Sequence, residues 1–385
     1  MTDAYGQAGN LAAVGRYEDA ERELRGGLAA TPADPHLLTL LGYVLRMRRD
    51  YPAALRTSEA AIEASPSLSA AHAERAENLI ALIRADDAVG AATEAARLDP
   101  QDPAGHLVLA RALASAREHD RARAAARRGL ALDPSSLEAL LTVADVERDA
   151  GHHDAAMAAA RLALAKDPSS GYGRWLVAML DAEKLHVGRS MRALRDVARD
   201  NPARPDVISM TWPVRSLLSA LRRWLAAAVG LVLVGALLAV RWEVAGLVAR
   251  TLAGLFVLVV LGFGARVLVP AGRMPWRCLR LVPRLLRRGV VAGLATLGVV
   301  LAALIAYAAT GLGLLAVLAL GLVPVMWVCG FAELLGARLD DPGFGYAVRD
   351  LRRQFGEFGG ELGQWWRTTK RDLREAWNEP DSDRR

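Results

Sequence analysis

Residues 100–134 read PQDPAGHLVLARALASAREHDRARAAARRGLALDP, and the proline closing this stretch stands 34 residues after the one that opens it. The interval holds outward in both directions: Pro32, Pro66, Pro100, Pro134, Pro168 and Pro202 are each 34 residues apart. Other positions keep the same phase. With units counted from residues 1, 35, 69, 103, 137 and 171, the eighth position is Ala8, Gly42, Ala76, Ala110, Ala144 and Ala178. The twentieth is Ala20, Ala54, Ala88, Ala122, Ala156 and Ser190, and the twenty-seventh is Gly27, Ala61, Ala95, Gly129, Ala163 and Val197. Small residues at three fixed places let two helices cross closely. A proline that cannot continue the second helix resets the chain for the next unit. Such units bury their apolar faces only on one another.

The period and the small-residue phase resemble the tetratricopeptide repeat family over residues 1–204. Three departures stand out. The bulky aromatic at the fourth position is replaced by Ala4, Leu38, His72, His106, Leu140 and Arg174. The turn glycine appears only as Gly15 and Gly151, and the sixth unit is the least regular, as a terminal repeat should be. The resemblance implies an all-α solenoid of about six helix pairs wound into a right-handed superhelix, with a concave groove lined by each first helix. On the positions that line such a groove it places Tyr43, Arg46, Glu77, Arg111, Glu138, Asp145, Arg148, Asp149, Tyr172 and Trp175, with bare alanines at Ala70, Ala73, Ala104 and Ala114. The paired Lys and Asn with which the family clamps a C-terminal carboxylate are missing, and Asn78 stands alone. The expected ligand is therefore an extended peptide or helix of a protein partner. It would be read by charges of alternating sign at equivalent places on successive first helices (Arg46, Glu77, Arg111, then Asp145 or Arg148) and anchored by Tyr43, Tyr172 and Trp175.

The second half of the chain has a different composition. Residues 1–210 hold 26 basic and 30 acidic residues, and residues 211–385 hold 22 and 12. The basic excess lies beside long apolar runs, which points to a membrane surface rather than to nucleic acid. Thr211-Trp212-Pro213 carries the residues of a helix start. Residues 205–223 then read as a linker and juxtamembrane helix start. Residues 224–332 read as four transmembrane helices, at about 224–240, 244–269, 289–309 and 312–332. Residues 289–332 hold no charge over 44 positions, twice the length one span needs, so they form a hairpin with its turn at Thr310-Gly311. Pro324 is expected to kink the fourth span, and Gly289 with Gly293 to favour close helix packing.

Arginine placement sets an expected orientation. The loop 270–288 carries Arg273, Arg277, Arg280, Arg284, Arg287 and Arg288 as membrane-surface residues, whereas the two short connections offer only Arg241 and Arg250. Both termini, the repeats and that loop are then cytoplasmic, in a bacterial inner membrane. The bacterial assignment follows from the 45 arginines against three lysines, read as a GC-rich coding sequence. No signal peptide is recognisable at the N-terminus. The tail 333–385 alternates Val348, Leu351, Phe355, Phe358, Leu362 and Trp365 with charged residues, an amphipathic pattern interrupted by glycines.

Chemical motifs are sparse. Gly311-Leu312-Gly313-Leu314-Leu315-Ala316 spells a dinucleotide-binding pattern but has no strand before it and falls in the apolar hairpin. His152-His153-Asp154 sits in an inter-helix turn without further ligands at metal spacing. With two cysteines, Cys278 and Cys329, a disulfide framework is excluded, and the 53% hydrophobic composition excludes disorder for most of the chain. No catalytic set, cofactor or metal site is read. The sequence thus points to a membrane-anchored scaffold, not an enzyme, that binds a protein or peptide through its groove, touches membrane lipid and has scope to homo-oligomerise. The alternative is a subunit or regulator of a transport or channel complex whose assembly the repeats control.

Overall fold

A computed structural model describes residues 2–184, 186–200, 210–239, 241–339, 343–346 and 348. The expected amphipathic tail lies outside the described residues from 349 onward. Every regular element among the described residues is helical. Six first helices, α1 (Thr2–Ala13), α3 (Pro35–Met47), α5 (Ser69–Ala81), α7 (Pro103–Ser115), α9 (Leu137–Asp149) and α11 (Gly171–Glu183), alternate with six second helices. The latter are α2 (Tyr17–Ala30), α4 (Tyr51–Ala64), α6 (Ala85–Leu98), α8 (His119–Leu132), α10 (His153–Lys166) and α12 (Val187–Asp200).

The in-phase small residues are the crossing points. Ala8, Ala76, Ala110, Ala144 and Ala178 are fully buried, as are Ala20, Ala54, Ala88, Ala122, Ala156 and Ser190. The first five second helices end where the period demands. The amides of Thr31, Ser65, Asp99, Asp133 and Asp167 donate to the carbonyls of Gly27, Ala61, Ala95, Gly129 and Ala163, and a proline without N–H follows each. Four first helices restart on side-chain caps, with Asp34, Asp102, Ser136 and Ser170 accepting from amides two or three residues on, whereas α5 follows Leu68 without one. The missing turn glycines change the residue and not the backbone. Arg49, Ile83 and Arg117 occupy the left-handed region at φ 64°, 63° and 62°, in the position held by Gly15 and Gly151 at φ 77° and 83°. The tertiary context of the solenoid imposes the turn on residues that disfavour it.

Four helices are long and apolar enough to cross a membrane. They are α13 (Trp212–Leu238), α14 (Glu243–Ala271), α16 (Arg284–Thr310), and the pair α17 (Gly313–Gly321) and α18 (Val323–Leu339), which together make the fourth. A five-residue helix, α15 (Met274–Cys278), lies in the basic loop. Pro324 acts as expected: the fourth span breaks at Leu322 and restarts at Val323. Gly311 caps α16 at φ 73° and makes the hairpin turn. A Cβ on Gly289 would stand 2.8 Å from Cys329 O and Glu333 N, and one on Gly336 would stand 2.3 Å from Leu286 N, so the third and fourth spans touch backbone to backbone there.

The two halves share one apolar cluster. Ala178, Ala182, Val187, Met191 and Leu194 of the last repeat pack with Met210, Trp212, Val267, Ala271 and Cys278. Trp212 Nε1 donates to Ser190 Oγ at 3.2 Å. Ser190 stands where the other repeats have alanine, and its hydroxyl is what accepts this hydrogen bond. On the far side the returning chain touches the array again, with the Tyr346 ring edge-on to Tyr51 at 6.4 Å.

Candidate partner-binding groove

The first helices α1 to α11 enclose a groove of about 700 Å³. Its lining includes Tyr43, Arg46, Glu77, Arg111, Glu138, Asp145 and Tyr172 from the sequence-derived set, and Ala70, Ala73 and Ala104 as open floor. The helical repeat explains the convergence: side chains 34 residues apart on stacked first helices point into one concavity. Arg148 and Trp175 stand beside the groove rather than in its lining, at the α9–α11 end. There Tyr172 and Trp175 stack at 5.5 Å, and the Arg148 guanidinium lies 5.8 Å from the Trp175 ring centre. Trp175 also packs against the cluster that joins the last repeat to the membrane half.

The groove charges differ from the expectation in one respect: they bind one another. Arg46 makes a two-pronged pair with Glu74, at 2.9 and 3.1 Å, over the ring of Tyr43. Arg111 bonds Glu77 at 2.6 Å, Glu138 at 3.1 Å and Thr142 at 3.2 Å. Asp145 accepts from the Tyr172 hydroxyl and lies 3.7 Å from Arg148. The equivalence expected of these residues is also corrected. Tyr43, Glu77, Arg111 and Asp145 share the ninth position of their units, while Arg46 and Arg148 lie one turn later. That offset lets a residue of one repeat reach a carboxylate of the next. Burial raises the carboxyls of Glu74 and Asp145 above the usual range, against the pull of Arg46 on the first and of Tyr172 on the second.

Glu74, Thr142, Tyr5, Asp102, Val108 and Leu141 also line the groove and were not singled out from the sequence. Glu74 was readable. It lies one helical turn before Glu77 on the same face, and Gly42 opposite leaves room for it, since a Cβ there would meet Glu74 Cγ at 3.3 Å.

Among the four long apolar helices the decisive residue not singled out from the sequence is Glu333, which is 5% exposed. It accepts from Arg215 Nε at 2.9 Å and from Arg222 at 2.6 Å, joining the first span to the last. Its signal was being the first charge after the 44 uncharged residues. The loop arginines Arg273, Arg277, Arg280, Arg284 and Arg288 are exposed, and Arg287 is half-buried and donates to the Arg280 carbonyl. At the opposite end Arg250 caps the third span, donating to the carbonyls of Ala308 and Ala309 at 2.9 and 2.8 Å. His152 Nδ1 pairs with Glu147 at 3.0 Å.

The tetratricopeptide repeat family matches residues 5–69, 73–136 and 107–171, so the N-terminal part of the chain is a tetratricopeptide repeat segment, a fold that serves as a protein-interaction scaffold. Among solved structures, the chain is similar to a thermophilic TPR protein of Thermus thermophilus. The identity is 23% over 46% of this chain and 97% of that one, with a TM-score of 0.44. It is also similar to a tetratricopeptide repeat protein of Parabacteroides merdae, at 17% identity over 57% of this chain and 86% of that one, with a TM-score of 0.42. No curated relative matches the chain in sequence.

Proposed function

We propose that the chain is a membrane-anchored scaffold whose repeat groove holds a protein segment at the cytoplasmic face of a membrane. The observation that carries this reading is the junction. The last repeat packs on Trp212, Val267, Ala271 and Cys278, at the end of the four apolar helices that carries the exposed loop arginines. Arginine-rich connections favour the cytoplasmic side, and the anionic surface there attracts them. The groove is thereby held at a set place beside the membrane, open along six first helices. A recruiting role needs nothing more than this: a site, an anchor and a rigid connection between them.

The test is site-specific photocrosslinking in membranes. A photoreactive residue at Ala104, exposed in the groove, should give a discrete adduct with a partner protein. The same residue at Arg128, exposed on the second helix α8, should not. Equal adducts from both positions, or none from Ala104, would remove the groove as the binding site.

A further inference from the structure

We infer that the groove selects a partner segment bearing arginine or lysine side chains, over acidic segments and free carboxylates. This rests on the reading of the groove as the partner site and adds the chemistry of what enters it. The lining holds two cations, Arg46 and Arg111, against five carboxylates, Glu74, Glu77, Asp102, Glu138 and Asp145, so two minus five leaves −3. Both cations are already committed, Arg46 to the two oxygens of Glu74 and Arg111 to Glu77, Glu138 and Thr142. An incoming anion would have to take an arginine from a carboxylate and leave that carboxylate unpaired in a half-closed site, which is costly.

A cation meets the opposite situation. The Glu138 side chain is 61% exposed and spends one oxygen on Arg111. The Asp145 side chain is 26% exposed; its Oδ1 accepts no hydrogen bond, and Arg148 stands 3.7 Å from it. These two carboxylates face the same half of the groove, beside the exposed Tyr172 ring, which offers a π face to a guanidinium or ammonium. The apolar walls at Val108 and Leu141 suit the aliphatic stem of a long basic side chain whose charged head reaches the carboxylates. The repeat array thus uses its arginines to shape the groove and its surplus carboxylates to read the ligand.

The experiment uses the full chain in phosphatidylcholine nanodiscs, a surface without net charge, panned against a displayed library of random short peptides. Peptides that bind through the groove are those lost on the Ala70→Trp, Ala104→Trp variant, which fills exposed floor positions. These peptides should carry more arginine and lysine than aspartate and glutamate. They should also bind the Glu138→Lys, Asp145→Asn variant about tenfold or more weakly. Adding two charges at the first position and one at the second brings the lining from −3 to zero. Glu138→Lys alone, at a mostly exposed side chain, repeats the measurement should the double variant unfold, and it should give a smaller loss of the same sign. Groove-dependent peptides that are acidic or uncharged, or that bind the charge variants as tightly as the parent, overturn the inference and leave the scaffold reading standing. No groove-dependent peptide at all overturns both. Basic peptides that bind only a chain ending at Val348 would assign the groove to the protein's own residues 349–385 and overturn the claim of a separate partner.

Discussion

At the scale of single residues, the groove and the membrane half solve the same problem differently. A carboxylate out of water must be paired, and Glu333 is paired twice, by Arg215 and Arg222 two turns apart on one face of α13. Removing one member of a buried pair leaves an uncompensated charge, whereas replacing both by apolar groups is often nearly neutral. Glu333→Leu should therefore destabilise the protein by about 3–5 kcal/mol, and adding Arg222→Met should restore part of that loss. Thermal unfolding in nanodiscs measures both, and equal melting of the single and double variants would contradict the pairing. Glu147 offers a pH test in the repeats. Burial opposes its charge, but hydrogen bonds from Arg123, Arg127 and His152 outweigh it and hold its carboxyl below the usual range. A depressed carboxyl contributes stability that is present above its unfolded pKa and lost as pH falls through the folded one. Glu147→Gln should cost about 1–3 kcal/mol near neutrality. That difference should close on acidification, as urea titrations at a series of pH values will register.

At the scale of the element, glycines separate two kinds of helix. Gly90 lies exposed in the middle of α6 with open space where a Cβ would be, so Gly90→Ala should stabilise the array by about 0.5–1 kcal/mol. Gly289 meets the backbone of Cys329 and Glu333, so Gly289→Ala should push the third and fourth spans apart and lower the melting temperature. Opposite signs for one chemical change are the prediction, and differential scanning calorimetry of the two variants decides it. The repeat helices were legible because proline and small residues recur on a fixed period, and the spans because charge vanishes over lengths that match a bilayer. The groove residues were legible as positions on a face. Their pairing was not, because Arg46 with Glu74 and Arg111 with Glu138 join neighbouring repeats through an offset that a list of equivalent positions hides. Arg49, Ile83 and Arg117 show the same limit from the other side: the sequence lacks the turn glycine and the solenoid makes the turn regardless.

At the scale of the whole molecule, the proposed orientation has a direct check. With cysteines introduced one at a time, an impermeant thiol reagent outside intact cells should label position 242 in the first short connection. It should miss position 281 in the arginine-rich loop, although both side chains are exposed. The reverse pattern would invert the protein in the membrane. The junction of the two halves was beyond sequence reading, because Ser190 and Trp212 meet across a stretch with no periodic signal. Once seen, it accounts for the irregular sixth repeat, whose outer face is covered by the membrane half instead of by a seventh unit. The array is also touched at a second place, where Tyr346 meets Tyr51 in the second repeat. A beam clamped at one end bends freely at its tip, but a beam clamped at its root and propped near its tip does not. Repeats two to six lie between clamp and prop, so their curvature, and with it the width of the groove, is fixed by the distance between the two holds. A load applied between these two holds would then act on the groove that lies between them.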